Sequence, residues 1–98
     1  MTIDSKIENG RGILIPHGSI DSTTADSLES AASVFDLEAL DGLTFDFSDV
    51  DYISSKCLRV LVSLNRKLQG KPITILGANE TVLDIFKLSG LSKLFNVQ

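Results

Sequence analysis

Apolar positions along this chain switch repeatedly between a two-residue and a three-to-four-residue period. Thr2 to Ile7 alternates loosely and reads as an edge strand. Asn9-Gly10-Arg11-Gly12 supplies turn residues ahead of the apolar run Ile13-Leu14-Ile15, so the two runs predict a hairpin. The second strand is expected to end near Pro16, because proline has no N–H for the ladder and favours edges. Gly18 to Asp21 leads out of the sheet. Ala25, Leu28, Ala31, Ala32 and Phe35 then recur on one helical face, which predicts a helix starting near Thr23. Thr23 and Asp26 have the spacing of a capping box, with Asp in place of Glu or Gln. Asp36 to Gly42 is acidic and irregular and reads as a loop.

The second half repeats the alternation. Leu43 to Phe47 is a period-two strand, and Ser48 to Tyr52 a polar loop with apolar anchors. Ser54 or Ser55 opens a second helix that runs to about Leu68. Cys57, Leu61, Leu64 and Leu68 form its buried stripe. Leu58, Val60 and Val62 widen that stripe, which predicts burial on more than one side. Gly70 stops the helix. Pro72 to Leu76 is a strand, and Asn79 is the expected N-cap of a third helix with Val82, Ile85 and Phe86 inward and Gly90 at its end. Leu91 to Val97 has room for a helical turn and a last strand. The order β-β-α-β-α-β-α-β predicts one α/β domain over residues 1–98, a sandwich of a small mixed sheet and packed helices.

Composition narrows the function classes. Nine Lys and Arg stand against thirteen Asp and Glu, a formal charge of −4, and the basic residues are scattered. Nucleic acid is therefore not an expected partner, since phosphates need clustered cations. The longest apolar runs are about three residues, and Met1 to Gly10 is polar, so neither membrane insertion nor a secretory leader is expected. A single cysteine, Cys57, fits a reducing cytoplasm. There is no Walker-type loop, G-x-G-x-x-G, G-x-S-x-G or Cys/His cluster, so no metal or cofactor is expected.

Chemistry concentrates at Asp51-Tyr52-Ile53-Ser54-Ser55-Lys56, which puts two hydroxyls at a helix N-terminus. Unpaired N–H groups and a positive dipole end meet there. Either serine can act as an N-cap, and either can accept a phosphate that the helix start tolerates. Asp21 is a turn or cap carboxylate, and it also follows a strand of the same sheet, which would bring it near the serines. Lys56 reads as a solvated charge, His17 as a structural or merely exposed residue, and Cys57 as a small core residue. A hydrolase using Ser55, His17 and Asp21 is the weakest reading, because nothing in the pattern turns His17 toward Ser55.

Three blocks, in order, resemble the STAS domain, the family of bacterial anti-sigma factor antagonists. The first is His17 to Ala25, similar to the family's G-x-[IL]-D followed by T-A. The second is Val50 to Leu61, similar to Y-I-[DS]-S-[SAT]-G-L, and the third is Leu76 to Leu91, in which Ile85 to Leu91 is similar to L-F-x-L-x-G-L. The resemblance implies a non-enzymatic partner-switching module. In such modules an anti-sigma factor serine kinase phosphorylates the antagonist, and a phosphatase of the same pathway resets it. Leu58 sets the register, so the phosphoacceptor falls on Ser55, with Ser54 as second choice. The implied partner-binding residues are Asp21, Ser22, Thr24, Ser54, Lys56 and Arg59. Lys56 and Cys57 stand where the family has a small residue and Gly, and Cys57 is expected to narrow the partner contact. The alternative is a STAS adaptor that binds constitutively, in a lipid-transport ABC system or a stressosome-like assembly.

Overall fold

The computed structural model describes residues 2–98; Met1, the first residue of the expected domain and of the polar N-terminal stretch, lies outside them. Strands β1 (Thr2–Glu8) and β2 (Arg11–His17) form the predicted hairpin. Its two-residue turn has positive φ at both positions, 51° at Asn9 and 79° at Gly10, the combination that matches the twist of the flanking strands. Pro16 lies inside β2, facing Ile3. It is tolerated because β2 pairs with the next strand only as far as Leu14, so no ladder on that side needs its missing N–H.

The remaining elements are helix α1 (Ser22–Ala32), β3 (Gly42–Asp46), α2 (Ser55–Lys67), β4 (Ile73–Leu76), α3 (Glu80–Leu88), a short 3-10 turn at Leu91–Lys93, and β5 (Asn96–Val97). The five strands lie in chain order, β1 antiparallel to β2 and the rest parallel. Parallel crossovers are right-handed, and each one here steps the same way across the sheet, so all three helices fall on one face. That face carries the row Ser5, Leu14, Phe45, Ile75 and Val97. It packs against Leu28, Leu61, Leu64 and Phe86 from the helices. Phe47, just past β3, lies 6.5 Å from Phe86 in a stacked arrangement that ties α3 down. The opposite face carries Lys6, Ile13, Thr44, Thr74 and Asn96. Gly42 marks a close approach between strands, since a Cβ there would sit 2.6 Å from the Pro72 carbonyl oxygen.

Two expectations need correction. The capping box of α1 is Asp21 with Thr24, not Thr23 with Asp26. The Asp21 carboxylate is one residue short enough of the helix to reach the N–H groups of Thr23 and Thr24, so α1 starts at Ser22. Helix α2 buries Cys57, Val60, Leu61 and Leu64, but Leu58 and Val62 are only half-buried. With Leu91 they line an open groove of about 450 Å³ beside the end of α3.

Candidate functional site

The loops leaving β2 and β3 are stitched together beyond the sheet. Gly18 N–H donates to the Asp49 carbonyl at 2.8 Å, Ile20 N–H to the Tyr52 carbonyl at 2.8 Å, and Ser54 N–H to the Ile20 carbonyl at 2.9 Å. Ile20 and Ile53 form an isolated parallel bridge, and both side chains are buried. This bridge sets the starts of α1 and α2 side by side. Asn79, the N-cap of α3, donates through Nδ2 to the carbonyls of Val50 and Asp51 at 3.2 and 3.1 Å. Three helix N-termini thus gather at the carboxyl end of the parallel strands, the end where open α/β sheets place their sites.

The two serines separate cleanly. Ser54 is the N-cap of α2: its Oγ accepts from the Cys57 N–H at 3.3 Å, and the residue is half-buried. Ser55 is the first helical residue, is exposed, and holds no helix amide. No acidic side chain occupies the first turn of α2. Beside it, Asp21 Oδ1 accepts from the N–H groups of Thr23 and Thr24, each at 2.9 Å. The Thr24 N–H, then the Thr24 hydroxyl, hold the Asp21 carboxyl below its usual range. Thr24 Oγ1 in turn accepts from the Asp21 N–H at 2.8 Å and lies 3.0 Å from the Ser19 carbonyl. Ser22 is exposed on the same first turn.

The other expected site residues are placed as follows. Lys56 is not a free solvated charge: its Nζ donates to Asp26 of α1 at 2.9 Å, a second tie between the two helices. An exposed pair of this kind contributes at most about 1 kcal/mol. Arg59 is exposed one turn below Ser55, on the rim of the Leu58–Val62 groove. Cys57 points into the core and is fully buried, so it does not narrow an approach to the surface. Burial pushes its thiol up to about 12, which leaves no thiolate at neutral pH.

His17 serves elsewhere. Its Nδ1 meets Asp49 at 2.6 Å and its Nε2 meets Asp4 at 3.0 Å, clasping β1 and the β3–α2 loop to β2. Hydrogen bonds to Asp4, then to Asp49, raise its pKa above the ordinary value. With both ring nitrogens held by carboxylates, and Asp21 committed to α1, the Ser55–His17–Asp21 combination does not assemble. Sequence reasoning missed three members of this end of the molecule: Asn79 as a loop tie, Asp26 as the partner of Lys56, and Tyr52, which is 50% exposed beside the serines. Each depends on contacts about thirty residues apart or on exposure, and neither is encoded in local spacing.

A family model described as STAS domain matches residues 2–98. No curated protein matches the chain in sequence. Among solved structures, it is similar to an anti-sigma factor antagonist from Mycobacterium paratuberculosis, with 25% identity and a TM-score of 0.87, over 98% of this chain and 83% of that one. It is similar to a putative anti-sigma factor antagonist from Thermotoga maritima, with 21% identity and a TM-score of 0.87, over 97% of this chain and 84% of that one. It also matches the fold of the anti-sigma factor antagonist SpoIIAA. The unphosphorylated form gives 15% identity and a TM-score of 0.83, over 99% of this chain and 88% of that one. The phosphorylated form, from Bacillus, gives 14% identity and a TM-score of 0.74, over 99% and 91%.

Proposed function

The chain belongs to the STAS domain family, and from that premise we propose that it is an anti-sigma factor antagonist switched by phosphorylation of Ser55. The single observation that carries this reading is the exposure of Ser55 on the first residue of α2, beside a cap already supplied by Ser54. Its partners are a serine kinase that doubles as the anti-sigma factor, and the phosphatase that reverses the modification. The similarity to an antagonist at 25% identity, and the existence of a phosphorylated form of SpoIIAA, support the assignment.

The switch is electrostatic. Unmodified, the surface formed by Asp21, Ser22, Ser54, Ser55, Lys56 and Arg59 presents neutral hydroxyls and a few fixed charges to the kinase. A phosphate on Ser55 adds about −1.5 to −2 charges at pH 7. The fold accepts it: the first-turn amides of α2 and the positive dipole end favour an anion, and no neighbouring acid in that turn repels it. The interface does not accept it. A partner surface shaped around a hydroxyl must strip water from a dianion without pairing it, a cost of about 2–5 kcal/mol. The domain stays folded while its partner leaves. Thr24, whose hydroxyl is spent inside the α1 cap, supports this surface by holding the loop rather than by touching the kinase.

The test is to incubate the protein with the anti-sigma factor kinase and ATP and to map the product by mass spectrometry. Phosphate on Ser55 is the expected result. Stable binding without phosphate on either serine would leave a constitutive adaptor and remove the switch.

A further inference from the structure

We propose that β1 is a homodimerisation edge, through which two copies of this chain pair antiparallel with Ser5 opposite Ser5. Strand β1 ends the sheet, so its outer side has no neighbouring strand among the described residues. It is seven residues long, and all but Ile3 are exposed. Ile7 is 61% exposed, an apolar side chain open to solvent on this edge strand.

The hairpin fixes which backbone groups are free. A two-residue turn is closed by a hydrogen-bonded pair, here Glu8 and Arg11, and the pattern alternates from there. The even residues Thr2, Asp4, Lys6 and Glu8 therefore spend their N–H and C=O groups on β2. The N–H and C=O groups of Ile3, Ser5 and Ile7 point outward, unpaired among the described residues. Such an edge is a template for another strand.

Self-pairing about Ser5 brings together residues whose numbers sum to ten. Asp4 of each copy faces Lys6 of the other, Ile3 faces Ile7, and Thr2 faces Glu8. The outward groups of Ile3, Ser5 and Ile7 then complete six inter-strand hydrogen bonds across three facing pairs. Asp4 and Lys6 fall at the pairs between those hydrogen bonds, where cross-strand side chains come closest. Parity of the outward groups allows the registers on either side, but these are unfavourable. Centring on Asp4 sets Asp4 against Asp4, and centring on Lys6 sets Lys6 against Lys6 and Asp4 against Glu8. Charge complementarity therefore selects one partner, a second copy, and one register. The exposed Ile7 is covered by the neighbour's Ile3, on the face that carries the helices.

Sedimentation equilibrium on the full chain, with amide hydrogen exchange read at low and high protein concentration, tests this. The expected result is a reversible dimer whose formation protects the amides of Ile3, Ser5 and Ile7, which exchange freely at low concentration. Asp4→Lys or Lys6→Asp alone places like charges opposite each other twice and weakens the dimer at least about tenfold. The double variant Asp4→Lys/Lys6→Asp restores it. Asp4 also binds His17, whereas Lys6 pairs with Glu8 at 3.5 Å, so the Lys6→Asp variant keeps both partners of the His17–Asp4 bond. Ser5→Pro removes an outward N–H that the monomer does not use, and it leaves a folded monomer by circular dichroism. A chain that stays monomeric at millimolar concentration overturns the proposal. So does a dimer indifferent to Lys6→Asp and Ser5→Pro, or one whose concentration-dependent protection falls on the helices or on β5.

Discussion

Two helices start side by side at the same end of this molecule, and their first turns are finished in opposite ways. At α1, the Asp21 carboxylate takes two amides, Thr24 returns a bond to the Asp21 N–H, and the cap closes on itself with a negative charge inside it. At α2, a neutral serine takes one amide at 3.3 Å, no acid sits in the first turn, and the next residue is an exposed serine. The α1 start already holds its anion. The α2 start holds none, so its own first turn can accept one. The exposed hydroxyls Ser22 and Ser55 are equivalent in sequence terms, since each opens a helix. They differ in what the preceding cap residue has contributed.

The largest expected difference between the two starts is chemical. With the cognate kinase and ATP, Ser55→Ala abolishes phosphate incorporation as measured by intact mass, while Ser22→Ala incorporates one phosphate as wild type does. Labelling that persists in Ser55→Ala and disappears in Ser22→Ala would reverse the assignment of the two helices.

The next difference is in stability. Asp21→Ala leaves two amides without their acceptor and is expected to cost about 1–2 kcal/mol in chemical denaturation. Ser54→Ala removes one long bond and costs about 0.5–1 kcal/mol. Equal losses would mean that the two caps are not distinct in the way the hydrogen bonds indicate.

A smaller effect has the opposite sign to the loss of binding. Ser55→Asp puts a carboxylate on an uncharged first turn, so it stabilises the fold by about 0.3–1 kcal/mol at low salt, fading as salt rises. Ser22→Asp, placed next to Asp21, stabilises less. A destabilising Ser55→Asp would show that the fold itself resists charge at this position.

The smallest effect lies at the loop that presents Ser54. His17 is held above its ordinary pKa by Asp4 and Asp49, with Asp46 also near it, so its clasp favours the protonated ring. A raised folded pKa gives stability that is complete below the unfolded value, about 6.5, and is lost as pH rises through the folded value. The difference in Tm between wild type and His17→Ala should therefore be greatest near pH 6 and shrink toward pH 9. A difference that grows with pH would contradict the clasp.

Much of this arrangement was legible in the sequence. The hairpin turn, three amphipathic helices and three strands each had a local period or a turn residue of their own, and the element order follows from them. The first two family-like blocks put Asp21 and Ser55 at helix starts, which is where the structure has them. What stayed hidden was pairing between distant segments. Asp21 and Thr23 are both good cap residues, and only the geometry of the amides decides for Asp21. The half-burial of Leu58 and Val62 comes with the open groove they share with Ser89 and Leu91, which periodicity does not measure. The clasp from His17 to Asp4 and Asp49 joins residues 13 and 32 positions apart, and it leaves no trace in spacing.

The most direct test compares two forms of one protein for one partner. Isothermal titration of an anti-sigma factor kinase with the unmodified chain, and with the chain carrying phosphoserine at position 55, reads the proposed switch without relying on a mimic. The phosphorylated form is expected to bind at least about thirtyfold more weakly, on the order of 2 kcal/mol, with unchanged circular dichroism. Equal affinity of the two forms would contradict it.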